Sequence, residues 1–247
     1  MEFDPASAAD RIEIELRAVG TAERATHEKR YLKSDLEFAG ATVWQIRAAA
    51  KAFVRESAGI GHDQLVILVE ELWRKPMHER RQAAVVLLEL HVGHLGPADL
   101  PLLERLVRES KTWALVDGLA GDVVGAILAA YPVETARVLD RWARDTDFWI
   151  RRSSLLAELR PLRAGSDLTS FLRRADDMLD EREFFIRKAI GWVLREVGKR
   201  RPAEVVAWLA PRTHRASGVT MREAIRYLPH EDGARLTAAY REKRPAG

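Results

Sequence analysis

The chain has 247 residues, 47% of them hydrophobic and 31% charged, with a formal net charge of +3. That allows one large domain or two small ones, and this ordinary soluble globular composition can bury a sizeable core without staples. There is no cysteine, which removes disulfides, thiol nucleophiles and zinc–thiolate sites and fits a reducing compartment. The acidic first ten residues lack the apolar stretch of a signal peptide, and no apolar run reads as long enough to cross a bilayer. A cytoplasmic protein with no membrane partner is expected.

Helical periodicity appears almost everywhere and strand alternation hardly at all. The first amphipathic segment runs from about Ala8 to Val19, and a second starts near Thr21 and carries Tyr31. After the loop Phe38-Ala-Gly-Ala-Thr42, Thr42 is a plausible N-cap for a helix from Val43 to Arg55. Helices are expected over Asp63–Trp73, Met77–Val92, Leu100–Glu109 and Thr112–Tyr131, separated by Gly- or Pro-containing breaks. The second half continues with Val133–Arg144 and Phe148–Leu159, then a break over Arg160–Gly165. Asp167–Leu179, Glu181–Gly198 and Ala203–Leu209 follow, with two short helices near Met221–Tyr227 and Glu231–Arg241. Short helices in recurring pairs suit an all-α, HEAT-like repeat solenoid in a single domain, 1–247, with 1–17 as an N-terminal extension or first helix. A compact helical bundle is the alternative. A curved stack of this kind offers a concave surface to a long ligand.

Three stretches could carry chemistry. In Lys111-Thr-Trp-Ala-Leu-Val-Asp117, Trp113 and Asp117 are four residues apart, so a helix puts them on one face with small residues beyond. An indole beside a carboxylate suits a cationic or planar partner, although a part-buried Trp beside a capping or ion-paired Asp fits the same spacing. In Glu183–Lys199, residues Ile186, Ala189, Ile190, Val193 and Val197 form an apolar stripe. Lys188, Arg195 and Lys199 share another, with Phe185 and Trp192 on its shoulder. Cations interleaved with aromatics can take phosphates and bases, and a solvated basic face is the plainer reading. In Phe148-Trp-Ile-Arg-Arg152, Trp149 reads as core, Arg152 as a rim residue within reach of a phosphate, and Arg151 as solvated or ion-paired. Tyr31 sits among Lys29, Arg30 and Lys33. Arg80-Arg81 and Arg200-Arg201 read as ordinary surface charges.

Several chemistries lack their residues. There is no Gly-rich phosphate loop and no His-Glu-x-x-His pair, and His91 and His94 have no acidic partner at ligand spacing. Ser153-Ser154 has no nearby His base. No cofactor and no metal are expected.

Together these residues resemble the bacterial DNA alkylation repair family of HEAT-like DNA glycosylases, the AlkD family. The match rests on Tyr31-Leu-Lys-Ser-Asp-Leu-Glu-Phe-Ala-Gly-Ala41, Trp113-Ala-Leu-Val-Asp117, Phe148-Trp-Ile-Arg-Arg152 and Glu183-Phe-Phe-Ile-Arg-Lys-Ala-Ile-Gly-Trp192, in family order, across about residues 20–230. The last of these is the most specific. The resemblance implies a helical solenoid that holds duplex DNA in a concave basic groove and excises positively charged N3- and N7-alkylated purines. By that likeness Asp117 is the catalytic carboxylate, flanked by Trp113 and Trp192. Arg152 is the phosphate-binding Arg, and Tyr31, Phe185 and Arg195 line the groove. Lys188 and Lys199 extend the basic stripe. The implied partner is duplex DNA containing alkylated purines, bound by a monomer in the cytoplasm and associated with the nucleoid. Family members often carry Trp-Trp-Asp-Ser-Val-Asp where this chain has Thr112-Trp-Ala-Leu-Val-Asp117, which leaves the substrate range open. A DNA-binding member without excision activity and a protein–protein scaffold are the competing functions. An inactive binder would be expected to lose Asp117, and a scaffold would not need it beside Trp113.

Overall fold

A computed structural model describes residues 3–57 and 59–242. Among these the chain is all-α, and the only extended pairing is the isolated bridge between Glu37 and Met77. Contacts group it into two compact units, Met1–Ile127 and Leu128–Gly247.

In the first unit, helix α1 (Pro5–Val19) starts at Asp4, whose carboxylate accepts from the Ala6 N–H, with Pro5 in the first turn. Of the stretch 1–17, read as an extension or first helix, residues 1 and 2 lie outside the described residues and residues 5–17 lie in α1, whose buried Ala9, Ile12 and Leu16 pack against later helices. Helix α2 (Ala22–Leu32) is capped by Thr21. The Phe38–Thr42 loop then makes a tight approach. Gly40 has φ +84°, and a Cβ there would meet the Thr21 carbonyl at 2.1 Å, so only glycine fits. Glu79, almost fully buried, holds this loop by accepting from the Ala39 and Gly40 N–H groups at 3.0 and 2.7 Å. Thr42 begins α3 (Val43–Glu56) with a reciprocal capping box to Gln45, as its sequence position predicts.

Helices α4 (His62–Arg74) and α5 (His78–Leu90) pack against each other and against α1, and α3 also packs on α5. Arg80 departs from the surface position expected of it. Its guanidinium is fully buried and donates to Glu13, Asp10 and the Leu72 and Glu71 carbonyls. A buried cation is tolerated because nearly every donor has an acceptor. Burial alone would raise the Glu13 carboxyl, but hydrogen bonds from Lys75, Arg17 and Arg80 outweigh it and bring it down to about 2.

Helix α6 (Leu100–Ser110) leads to one long helical segment. It runs as α7 (Trp113–Asp117), a π-helical stretch over Gly118–Val124, and α8 (Gly125–Ala130). Contrary to the expectation from sequence, Trp113–Ala130 is by length and composition apolar enough to cross a membrane. Most of it is buried inside the protein (61%), as befits a core helix.

The second unit contains α9 (Pro132–Trp142), α10 (Phe148–Leu156), α11 (Leu159–Arg163), α12 (Thr169–Asp177), α13 (Phe184–Gly198), α14 (Pro202–Leu209), α15 (Gly218–Ala224) and α16 (His230–Glu242). Helix α11 occupies part of the break expected over 160–165. Pro161 falls in its first turn, where a missing N–H breaks no intrahelical bond. Helix α13 is the hub, packed on α10, α11, α14 and α15. Gly191 lets α15 close on it: a Cβ would stand 2.8 Å from the Thr220 carbonyl and 2.7 Å from Glu223 Cβ. The Gly of the Ala-Ile-Gly-Trp run thus serves packing. A buried ion cluster fastens α12 to α9 and to Glu158, with fully buried Arg174 bonded to Asp140 (2.8 Å) and to Glu158.

Candidate nucleic-acid interface

The first unit brings together Tyr31, Trp113 and Asp117. Trp113 and Asp117 lie one turn apart on α7, both half-buried, as their spacing predicts. Tyr31, 62% exposed, meets the Trp113 ring edge-on, with centroids 5.9 Å apart at 88°. His27, one turn earlier on α2, stacks on Tyr31 at 6.4 Å. The result is a half-open aromatic wall beside a carboxylate.

The backbone around this group is irregular in three places. Lys33 and Lys111 both have φ +49°, and they are the two non-glycine residues with positive φ among those described. One ends the helix that carries Tyr31, and the other stands two residues before Trp113. Left-handed conformation costs an L-residue about 1–2 kcal/mol. Directly after Asp117 the helix widens into the π-turns of Gly118–Val124. Such bulges are frequent at functional sites, and stored strain clusters there as well. Thr112, the N-cap residue, is buried and its hydroxyl makes no hydrogen bond to a described residue. Sequence reading missed the π-helix because hydrophobic periodicity barely separates it from α-helix. The Lys-Thr pair before Trp113 carried no glycine to mark a left-handed turn.

The second unit holds the other expected residues, and not all sit as expected. Trp149 is core and Arg151 is ion-paired to Glu181, as read. Arg152, expected at the rim, is 2% exposed. It donates to the Phe185 carbonyl at 2.6 Å and lies over the Phe185 ring at 5.7 Å. The i, i+3 spacing puts Arg152 on the same inward face of α10 as Trp149, not at its rim. Phe185 is half-buried in an aromatic cluster with Phe148 (6.2 Å, stacked), Trp149 (4.7 Å) and Phe184 (5.4 Å, edge-on). Trp192 is half-buried on α13, consistent with a shoulder position.

The basic stripe on α13 is largely paired. Arg195 is bonded to Glu223, with Glu196 at 3.7 Å, and Lys199 is bonded to Glu196 at 2.8 Å and lies over Tyr227. Lys188 is exposed, with its ammonium 5.9 Å from the Phe184 centroid. The acids come from α13 itself, Glu196, and from α15, Glu223, and a partner on a second helix is invisible to the periodicity of one. Among the described residues, no group of three or more His, Asp or Glu is placed to hold a metal ion.

Residues 12–228 match the family model described as DNA alkylation repair enzyme. The chain belongs to that family. Its fold is similar to that of a predicted DNA alkylation repair enzyme from Enterococcus faecalis, with 24% identity, a TM-score of 0.77, and coverage of 85% of this chain and 97% of that one. It is also similar to AlkD2 from Streptococcus mutans, with 15% identity, a TM-score of 0.65, and coverage of 91% and 99%. These likenesses bear out an all-α helical-repeat fold. No curated protein matches the sequence.

Proposed function

We propose that the protein is a DNA glycosylase that hydrolyses the N-glycosidic bond of cationic N3- and N7-alkylated purines in duplex DNA. Membership of the DNA alkylation repair family supports a role on damaged DNA. The observation that carries the catalytic part is the Tyr31–Trp113–Asp117 group, set where two left-handed lysines and a π-helix distort the backbone.

The chemistry suits a single carboxylate. An alkylated purine already carries a positive charge and leaves without protonation. As the C1′–N9 bond breaks, both electrons go to the purine and neutralise it, and the sugar becomes oxocarbenium-like. The Asp117 carboxylate stabilises that new charge, and the Trp113 face adds a cation–π contribution. A carboxylate about 4 Å from a cation gains about 4 kcal/mol at an effective dielectric near 20. Water, oriented by Asp117, then adds its oxygen to C1′ and releases one proton to solvent. Trp192 and Phe185 serve as aromatic contacts, and Lys188 takes a phosphate. Buried Arg152 acts by holding Phe185.

The test is incubation with a duplex containing one N7-methylguanine, followed by detection of the free base, with parallel duplexes carrying uracil or 1,N6-ethenoadenine. Release of the methylated purine alone is expected, because neutral bases leave badly without an acid. A protein that binds the duplex but frees N7-methylguanine no faster than spontaneous depurination would end the glycosylase reading.

A further inference from the structure

The solvent face of α3 carries a feature that the catalytic group does not use. Trp44 is 79% exposed, the highest value among the exposed large hydrophobic residues described, and Val43 beside it is 55% exposed. An indole left in water gives up about 1.5–3 kcal/mol of burial that a core position would gain. Ile46, Ala50 and Phe53 take the opposite face of the helix into the core. Trp44 is thus directed outward from the first turn of a helix fixed by the Thr42–Gln45 capping box.

The same outward face is basic. Ala48, Lys51 and Arg55 follow Trp44 at intervals of four, three and four residues, in one row along about 16 Å of helix. With Arg47 they line a shallow hollow of about 410 Å³. Arg47 is already held by both oxygens of Glu89, at 2.8 and 2.5 Å. Lys51 and Arg55 are exposed and make no ion pair among the described residues. Ala48, one turn from Trp44, leaves one edge of the indole uncrowded.

We propose that this face of α3 is a second nucleic-acid contact, with Trp44 packing on a sugar or unstacked base and Lys51 and Arg55 neutralising backbone phosphates. The proposal rests on the reading that the protein works on DNA. A π-face and two cations without an ion pair among the described residues, in one row, match the alternation of rings and charges along a nucleic-acid strand. The arrangement is independent of the lesion, so the contact contributes to binding of undamaged duplex.

The experiment measures binding of the full chain to a fluorescently labelled, undamaged duplex by anisotropy, across a range of salt concentrations. Wild type is compared with Trp44→Ala and with the double variant Lys51→Ala/Arg55→Ala. All three side chains are exposed, so the variants should fold, and circular dichroism verifies this. Trp44→Ala should weaken binding about tenfold with an unchanged salt slope. The double variant should lower the log–log salt slope by about two. If wild type binds and both variants match it in affinity and slope, the α3 contact is overturned while the DNA reading stands. If wild type itself does not bind duplex, the DNA reading fails and the α3 assignment falls with it.

Discussion

His78 makes the stability of the first unit depend on mild acid. It is the first residue of α5, 6% exposed, stacked on Phe38 at 4.8 Å and 15°. Its Nδ1 is buried with no partner among the described residues. Burial lowers the imidazole from its ordinary 6.5 to about 4, and the Glu28 charge opposes this only weakly. The folded value is depressed, so as pH falls below 6.5 the unfolded chain takes up a proton before the folded one does. The stabilisation is whole above 6.5 and drains away until about pH 4. Each pH unit is worth about 1.4 kcal/mol, so a drop from pH 7 to 5 removes about 2 kcal/mol. His62 is shifted the other way, upward, by Asp63 and Asp99, and burial raises the Glu158 carboxyl, so both add stability as pH falls through their folded values; wild type and variant share these groups, and they cancel in the comparison. Glu13 loses its contribution only below its ordinary 4.5, as pH falls toward about 2. The assay is urea unfolding at pH 7, 6, 5.5 and 5, comparing wild type with His78→Phe, which keeps a ring against Phe38 and cannot titrate. With a slope of about 2 kcal/mol per molar urea, the wild-type midpoint should fall by about 1 M relative to the variant's between pH 7 and 5. The pH dependence is the readout, so any packing penalty from the larger ring is immaterial. Parallel curves for the two proteins would refute the assignment to His78.

Asp117→Asn should bind duplex DNA normally and release N7-methylguanine at least ten- to a hundredfold more slowly in single-turnover assays. Unchanged rates would remove Asp117 from the mechanism. Glu79→Ala strips the acceptor from the Ala39 and Gly40 N–H groups and should cost about 3–5 kcal/mol by chemical denaturation. A loss under about 1 kcal/mol would mean the loop finds other partners. Gly191→Ala forces a Cβ to within 2.8 Å of the Thr220 carbonyl, so the α13–α15 contact must spread. A destabilisation of about 1–3 kcal/mol is expected, and a neutral result in the same unfolding assay would show that the two helices can separate freely.

The helices were legible in the sequence because each carries a local signal. Thr42 with Gln45, Thr21, and the Gly or Pro breaks place most helix ends within a few residues of where they occur. The Trp113–Asp117 face was legible for the same reason, since an i, i+4 relation needs nothing but a helix. The burial of Arg80, Glu79 and Arg152 was not. Each is paired across 30 to 70 residues of sequence, with Glu13, with the Gly40 N–H and with the Phe185 carbonyl. A helical wheel drawn for one segment treats charge as a sign of solvent and cannot register a partner on another helix. The α→π transition after Asp117 left no signal for a related reason: Gly118-Leu-Ala-Gly-Asp-Val-Val124 fits an apolar helix of either pitch.

The same long-range pairing changes how the basic character of the chain should be read. The 40 Lys and Arg against 37 Asp and Glu leave a small excess, and much of the Arg content is held internally. Arg80, Arg152 and Arg174 are buried, and Arg47, Arg151 and Arg195 are bonded to Glu89, Glu181 and Glu223. Arginine suits that role, because a planar fork can satisfy two acceptors at once and loses less hydration on burial than an ammonium. A phosphate must then compete with an acid already in place, which costs Arg195 or Lys199 part of what binding would return. Exposed cations without a described ion pair, such as Lys188, Lys51 and Arg55, carry no such penalty. Each of them has an aromatic on its own helix, Phe184 for Lys188 and Trp44 for the other two. A strand lying on either helix would meet a ring and a charge together, and affinity should therefore depend on these residues more than on the arginines that dominate the composition.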